Sequence, residues 1–191
     1  CERMKLNATT SNMPIGMGTT EFNIRDWFET HHGGATLLGI CPMSREIIRA
    51  ALAEGAAERF PPMFIATPRQ VDANRGYTGW SQSELGSVID EIAADVGYDG
   101  PYVIARDHGG PYQSFRDRDD PDVQIDDAMT YALELFEGDQ RAGFDVLHVD
   151  ATEDATVEGT LSLAEIADRT SSLIADIEAW NDPNTAPPVY E

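Results

Sequence analysis

Residues 81–111 read SQSELGSVIDEIAADVGYDGPYVIARDHGGP. Ser81 and Glu84 have the spacing of a capping box, in which two side chains bond reciprocally to the first backbone N–H groups of a helix. Apolar residues follow at helical spacing, and Gly97 lies where a helix commonly ends. The short apolar run at residues 102–106 is typical of a strand. This segment therefore predicts one helix followed by one strand.

The same alternation continues on both sides of that segment. Strands are predicted at residues 35–41, 63–67, 102–106 and 144–149, with a fifth beginning at Val189. Helices are predicted at residues 23–32, after Ser44, after Ser81, around residues 125–136 and after Ser162, which starts a second capping box. A single helix between successive strands requires parallel strands and right-handed crossovers. The predicted class is therefore α/β, with a parallel sheet covered by helices.

Two architectures satisfy this pattern: an open doubly wound sheet and part of a (β/α)8 barrel. The first strand leads into Gly39-Ile-Cys-Pro-Met-Ser44, which has neither the GxGxxG nor the GxxxxGK[ST] pattern of a phosphate-binding loop. The nucleotide-binding version of the open sheet is therefore disfavoured. In both architectures ligands bind at the carboxyl ends of the strands.

The chain length predicts one domain. A polar lead at residues 1–20 has no periodicity and is predicted to be poorly ordered, and residues 21–191 are predicted to form a partial barrel domain. The chain starts with Cys1 and stops where a strand begins, so we expect a fragment of a longer protein.

Composition excludes some classes of partner. The 191 residues include 34 Asp and Glu against 13 Lys and Arg, for a net charge of −21. Such a surface repels nucleic acid and anionic membranes. Only one base is a lysine, which favours a halophilic source, where abundant cations screen the acidic surface. Two cysteines, no signal peptide and no long apolar run favour a cytoplasmic location.

Acidic and imidazole side chains follow the third and fourth predicted strands. Asp107 and His108 come directly after the third strand, at the start of a long charged loop. His148 and Asp150 lie two residues apart at the end of the fourth strand, so both face the same side of an extended chain. These pairs are suited to metal-assisted proton chemistry. The alternatives are an aspartate that caps a turn and a histidine buried against a carboxylate.

Three arginines lie near two of the strand ends. In a chain so poor in bases, Arg69, Arg75 and Arg106 are candidates for an anion site that binds a phosphate or a carboxylate. The alternative for each is an ion pair with one of the many acidic residues.

The strand-end motifs resemble a known family, the GatZ/KbaZ-type subunit of class II D-tagatose-1,6-bisphosphate aldolase. Four motifs occur in the family's order and spacing, from about Gly39 to Glu191. They are Gln70-Val71, Gly76-Tyr77-Thr78-Gly79, Asp107-His108-Gly109-Gly110-Pro111, and Ala142-Gly143-Phe144 leading to His148-Val149-Asp150-Ala151-Thr152. Two departures from the family pattern occur, at residues 41–46 and at Gly109, where the family has leucine.

The resemblance implies a (β/α)8 barrel of the class II aldolase superfamily, of which this chain supplies about the first four βα units. It also implies that Asp107 transfers a proton and that His108 binds a divalent metal, usually zinc. The remaining metal ligands of catalytic relatives lie in the second half of the barrel. The substrate implied is a phosphorylated ketose, and the residues expected to bind it are Gln70, Arg75, Arg106, His148 and Asp150.

The resemblance leaves three functions open. The first is an accessory, non-catalytic subunit that supports a catalytic aldolase subunit in carbohydrate catabolism. The second is a metal-dependent enzyme on phosphorylated ketoses, either an aldolase or a hexulose 4-epimerase. The third is a barrel fragment without activity of its own.

Overall fold

The computed structural model of the chain describes residues 24–31, 36–180 and 187–191. The predicted poorly ordered lead at residues 1–20 lies outside the described residues. The strands are β1 (Gly39–Ile40), β2 (Met63–Ala66), β3 (Val103–Gly109), β4 (Val146–Val149) and β5 (Val189–Tyr190). The helices are α1 (Ile24–His31), α2 (Arg45–Glu58), α3 (Gln82–Val96), α4 (Phe115–Arg118), α5 (Ile125–Arg141) and α6 (Leu163–Ala179).

The described strands form one parallel sheet in the order β1-β2-β3-β4-β5. Each strand pairs with its neighbour in sequence, and helices connect successive strands. The predicted α/β class with a parallel sheet is therefore confirmed. The order contains no reversal among these five strands, whereas an open doubly wound sheet has one at its switch point.

Local sequence signals determine where the main helices begin and end. The Ser44 hydroxyl caps α2 by accepting from the Ile47 backbone N–H, and both predicted capping boxes form, at the starts of α3 and α6. Gly97 ends α3 with a φ of 70°, which glycine adopts without a Cβ clash. No helix in the described part of the chain is both long and apolar enough to cross a membrane.

The strands direct alternate side chains to two faces of the sheet. Ile104 and Leu147 point toward the face that α2, α3, α5 and α6 cover, where the larger core lies. Val103 and Val146 point to the opposite face, where Ile24 of α1 packs against them. Fully burying one such aliphatic side chain is worth about 1.5–3 kcal/mol. The sheet is therefore stabilised on both faces.

Two local predictions were wrong in the segment after the third strand. β3 continues to Gly109 rather than ending at Arg106. The predicted loop that follows contains the short helix α4, because Ser114 and Asp117 form a capping box. Asp117 is almost completely buried, and its other carboxylate oxygen accepts from the Tyr112 backbone N–H. These bonds give the charged segment a fixed shape.

Arg106 lies on the helix-covered face of the sheet, since it follows Ile104 by two residues in β3. Its side chain is fully buried and makes two hydrogen bonds to Asp139 of α5, at 2.6 and 2.8 Å. A third hydrogen bond reaches the carbonyl of Ala66 at 2.8 Å. Burial raises the pKa of the Asp139 carboxyl, and the Arg106 guanidinium opposes that rise. The side chain expected to bind substrate is thus used inside the core.

Breaking this buried ion pair should strongly destabilise the chain. We expect Arg106→Met to lower the free energy of unfolding by about 3–5 kcal/mol, because Asp139 would keep a buried charge without its partner. The double variant Arg106→Met/Asp139→Leu should recover most of that loss. Urea denaturation measures both. Arg49→Met, which removes an exposed ion pair with Asp95, is the control and should cost less than about 1 kcal/mol. Equal losses in Arg49→Met and Arg106→Met would contradict the prediction.

Asp145 is a partly buried carboxyl at the amino end of β4, and its carboxylate accepts the Ile104 backbone N–H at 2.9 Å. Burial raises the pKa of Asp145 to about 6, although this hydrogen bond opposes the rise. Above about pH 6 the folded chain therefore holds a destabilising charge. As pH falls from about 6 toward the ordinary value of 3.8, the folded chain takes up this proton before the unfolded chain does, so the destabilisation disappears.

Asp145→Asn should therefore stabilise the chain in a pH-dependent way. Near pH 8 we expect a gain of about 1–3 kcal/mol, because the amide keeps an acceptor for the Ile104 N–H without the partly buried charge. Near pH 4 the gain should vanish. Denaturation curves at several pH values test this, with Asp168→Asn on the exposed side of α6 as the control. A gain that does not change with pH would be inconsistent with the raised pKa.

Candidate functional site

A β-bulge lies at the carboxyl end of β3. Arg106 pairs with Leu147 and Gly109 pairs with Val149, so three steps along β3 match two steps along β4. The extra residue interrupts the regular alternation of side chains. His108 has a φ of 50°, in the left-handed region that non-glycine residues seldom adopt. This irregularity lets the neighbouring residues Asp107 and His108 both reach side chains of β4, which a regular strand would prevent.

Four of the predicted site residues meet at this edge, and we call them the carboxylate–imidazole cluster: Asp107, His108, His148 and Asp150. His108 Nδ1 lies 2.6 Å from Asp150 Oδ2. His148 Nδ1 lies 3.2 Å from Asp107 Oδ1. The two imidazole rings are tilted against each other with their centroids 5.2 Å apart. Each histidine is thus paired with a carboxylate from the other strand.

The Asp150 carboxylate accepts several hydrogen bonds from nearby residues. Its Oδ1 accepts the Thr152 backbone N–H and the Thr152 hydroxyl, at 3.0 and 2.5 Å. Its Oδ2 accepts from the Gln113 side-chain amide at 3.1 Å. A Cβ on Gly110 would lie 1.7 Å from the Asp150 carbonyl oxygen, so only glycine permits this approach of the two strand ends. Gln113 and Thr152 were missed as site residues: Thr152 lies in the motif that contains Asp150 but was given no role, and no motif relates Gln113 to Asp150.

These contacts shift the pKa values of His108 and Asp150. The hydrogen bond that His108 donates to Asp150 raises the pKa of His108, although partial burial opposes the rise, and the nearby charge of Asp107 adds to it. Burial works against ionisation of Asp150, but hydrogen bonds from Thr152 and His108 outweigh it and lower the pKa of that carboxyl. Asp150 is therefore an ionised carboxylate that fixes the proton of His108 on Nδ1 and leaves Nε2 facing the cluster.

The cluster contains a set of atoms that fits a divalent metal ion. One ligand atom from each of Asp107, His108 and His148 lies within 4.8 Å of the other two. His108 Nε2 is 3.9 Å from Asp107 Oδ1, and His148 Nδ1 is 3.2 Å from the same oxygen. Two ligands of one tetrahedral zinc ion lie roughly 3.3 Å apart. Two imidazoles with one carboxylate also form a common donor set of catalytic zinc sites.

Two polar groups compete for the Nδ1 atom of His148. Its Nδ1 accepts the His108 backbone N–H at 3.3 Å, which requires a lone pair on that nitrogen. The contact of the same Nδ1 with Asp107 requires a proton there instead. Both bonds cannot form at once. A metal ion bound at Nδ1 would need the same lone pair, so it would replace both hydrogen bonds.

The other predicted site residues lie outside the cluster. Gln70 is buried, and its side-chain oxygen accepts the Thr67 backbone N–H at 2.8 Å, which shapes the loop after β2. Arg75 is exposed and forms an ion pair with Glu84 at 2.5 Å. Among the described residues, neither makes a hydrogen bond with the cluster. Gln70 and Arg75 therefore stabilise the loop after β2, and Arg106 stabilises the core.

The chain also matches a known protein family over the segment that contains the site. The family described as D-tagatose-1,6-bisphosphate aldolase subunit GatZ/KbaZ-like matches residues 26–191, which include all five strands and the carboxylate–imidazole cluster. The chain belongs to this GatZ/KbaZ-like family. The predicted family resemblance is thereby confirmed, and the family supports a role in carbohydrate metabolism.

Two proteins similar to this GatZ/KbaZ-like chain carry names that refer to tagatose 6-phosphate. A D-tagatose 6-phosphate 4-epimerase of Agrobacterium fabrum is 29% identical over 159 residues, which are 82% of this chain and 36% of the relative. A crystal structure of a probable tagatose 6-phosphate kinase from Sinorhizobium meliloti matches with a TM-score of 0.69 and 27% identity, covering 82% of this chain and 38% of that one. The chain thus spans little more than a third of the length of these relatives.

The pairing of His108 with Asp150 can be tested without metal. In Asp150→Asn the pKa of His108 should fall toward its ordinary value of 6.5, because the amide supplies no negative charge. The measurement is an NMR titration of the histidine Cε1 protons with a chelator present; the chain has four histidines. Glu153→Gln is the control and should lower the pKa less, since Glu153 acts only as a nearby charge. Unchanged titration of His108 in Asp150→Asn would refute the assignment.

Proposed function

We propose that this chain forms part of a (β/α)8 barrel whose carboxyl edge carries a metal-dependent site for phosphorylated ketoses, used for 4-epimerisation or for aldol cleavage. The observation that carries this proposal is the convergence of Asp107, His108 and His148 within 4.8 Å, with Asp150 behind His108. The sequential parallel strand order supports the barrel. The name of the Agrobacterium relative supports the 4-epimerase reaction.

The site residues have two roles in this proposal, metal binding and proton transfer. A divalent metal ion, with zinc as our first choice, would polarise a substrate carbonyl when bound. His108 and His148 would hold it through their imidazole nitrogens, and Asp150 would keep His108 in the tautomer that frees Nε2. Asp107 would accept the proton of the hydroxyl group whose carbon becomes a carbonyl when the adjacent carbon–carbon bond breaks. The same carboxyl would return the proton when the bond re-forms.

Asp107 has two possible positions in this scheme. Its Oδ1 is close enough to both imidazoles to be a third metal ligand, and the family resemblance assigns it proton transfer instead. The two roles predict different behaviour of Asp107→Asn. A proton carrier can be replaced without loss of the metal, whereas a ligand cannot be replaced by a neutral amide without weakening metal binding.

A second candidate function is an accessory subunit of a tagatose-bisphosphate aldolase complex. The family description, which names an aldolase subunit, favours it. In this role the protein would bind a catalytic aldolase subunit, and the carboxylate–imidazole cluster would not be needed for turnover. A cytoplasmic setting suits both candidates, because the two cysteines give no disulfide framework.

The decisive experiment measures metal content and turnover of D-tagatose 6-phosphate by the protein that carries this chain. We expect one bound zinc and turnover in the wild type. His108→Ala should lose both, and Asp107→Asn should lose about 10²–10⁴-fold in turnover. Retained zinc in Asp107→Asn identifies a proton carrier, and lost zinc identifies a ligand. Asp168→Asn is the surface control.

The accessory candidate predicts a different pattern in the same experiment. No turnover would be seen in any variant, and the protein would co-elute with a catalytic aldolase subunit and raise its activity equally in wild type and Asp107→Asn. That pattern would refute the enzymatic proposal.

A further inference from the structure

Most arginines of the described chain are used in ion pairs. Acidic residues outnumber bases 34 to 13, and eight of the described arginines contact a carboxylate. Arg69 is not among these eight, and like Arg59 it forms no ion pair with a carboxylate in the described ranges. Its guanidinium instead lies over the ring of Phe115, with its central carbon 5.2 Å from the ring centroid.

Arg69 lies at the same edge of the sheet as the carboxylate–imidazole cluster. It follows β2 by three residues, and Phe115 begins α4 after β3. Phe115 is two residues from Gln113, whose amide donates to Asp150 of the cluster. Residues 113–115 therefore contact both the Arg69 guanidinium, through Phe115, and the cluster, through Gln113.

The backbone of Arg69 is fixed by the loop after β2. Its carbonyl accepts the Tyr77 backbone N–H at 2.8 Å. Gly76 has a φ of 46°, and a Cβ there would lie 2.5 Å from the Arg69 carbonyl oxygen and 2.3 Å from that of Gln70. This close packing gives a reason for glycine at position 76. The loop thus holds the base of the Arg69 side chain in one place.

The chemistry of this arrangement suits a phosphate group. A guanidinium presents N–H donors in a planar fork that matches phosphate oxygens, and one without an ion pair has these donors available for a ligand. The two other arginines predicted for an anion site are engaged elsewhere: Arg75 with Glu84, and Arg106 with Asp139 on the far face of the sheet. Of the three, only Arg69 makes no ion pair with a carboxylate of the described residues.

We propose that Arg69, which lies over the Phe115 ring, binds the phosphate group of the phosphorylated ketose whose reacting carbons lie at the carboxylate–imidazole cluster. This inference rests on the proposed function for the sugar, but the anion site itself does not depend on turnover. Arg69 then supplies binding energy at a part of the substrate that does not react, and so positions the carbonyl against the cluster.

The test is calorimetric titration with inorganic phosphate, D-tagatose 6-phosphate and unphosphorylated D-tagatose at one fixed ionic strength. Arg69→Gln should weaken binding of both phosphate-containing probes about 10- to 100-fold, as expected for lost hydrogen bonds to a charged group. Phe115→Leu should weaken them a few-fold, because the guanidinium loses its stacking surface. Binding of D-tagatose should not change. Arg59→Gln is the control, since Arg59 ends α2 at the opposite edge of the sheet.

Two results separate this inference from the proposed function. Phosphate binding that is equal in wild type and Arg69→Gln, with both folded by circular dichroism, would overturn the role of Arg69 even if the sugar phosphate is turned over. Loss of phosphate binding in Arg69→Gln would support the anion site even if no sugar is turned over, a result that would overturn the proposed function alone.

Discussion

The candidate site depends on one extra residue at the end of β3. In a regular strand Asp107 and His108 would point to opposite faces of the sheet. The bulge between Arg106 and Gly109, with His108 at a φ of 50°, brings both residues to the β4 histidine and carboxylate. A non-glycine residue in this conformation costs of the order of 1–3 kcal/mol, which the surrounding structure must offset.

Contacts on one face of the sheet and within its plane hold this bulge in place. Behind it, the buried ion pair of Arg106 with Asp139 ties β3 to α5, and the bond from Arg106 to the Ala66 carbonyl ties it to β2. Beside it, the Asp150 backbone N–H donates to the Gly109 carbonyl at 2.7 Å. The arginine expected to bind substrate thus fixes the strand from which the two reactive side chains project.

The fold was predictable where its signals are local, and the site only in part. The capping boxes at Ser81 and Ser162 form as predicted, since each needs only residues three positions apart. The face on which Arg106 lies was not predictable, because it depends on the strand register and on Asp139, 33 residues away. The bulge was not predictable for a similar reason. It is defined by the pairing of β3 with β4, and the sequence of β3 alone does not indicate that pairing.

The conformational strain at His108 is relevant to the choice between an enzyme and an accessory subunit. An accessory surface has no need for a strained histidine. Strained groups persist where function requires them, because most substitutions that relieved them would stabilise the fold. The arrangement around Asp107 and His108 therefore supports chemistry at this edge more strongly than it supports a purely structural role. Arg69 differs from Arg59, which also lacks an ion pair among the described residues, in its place at the carboxyl edge of the sheet, where the cluster lies.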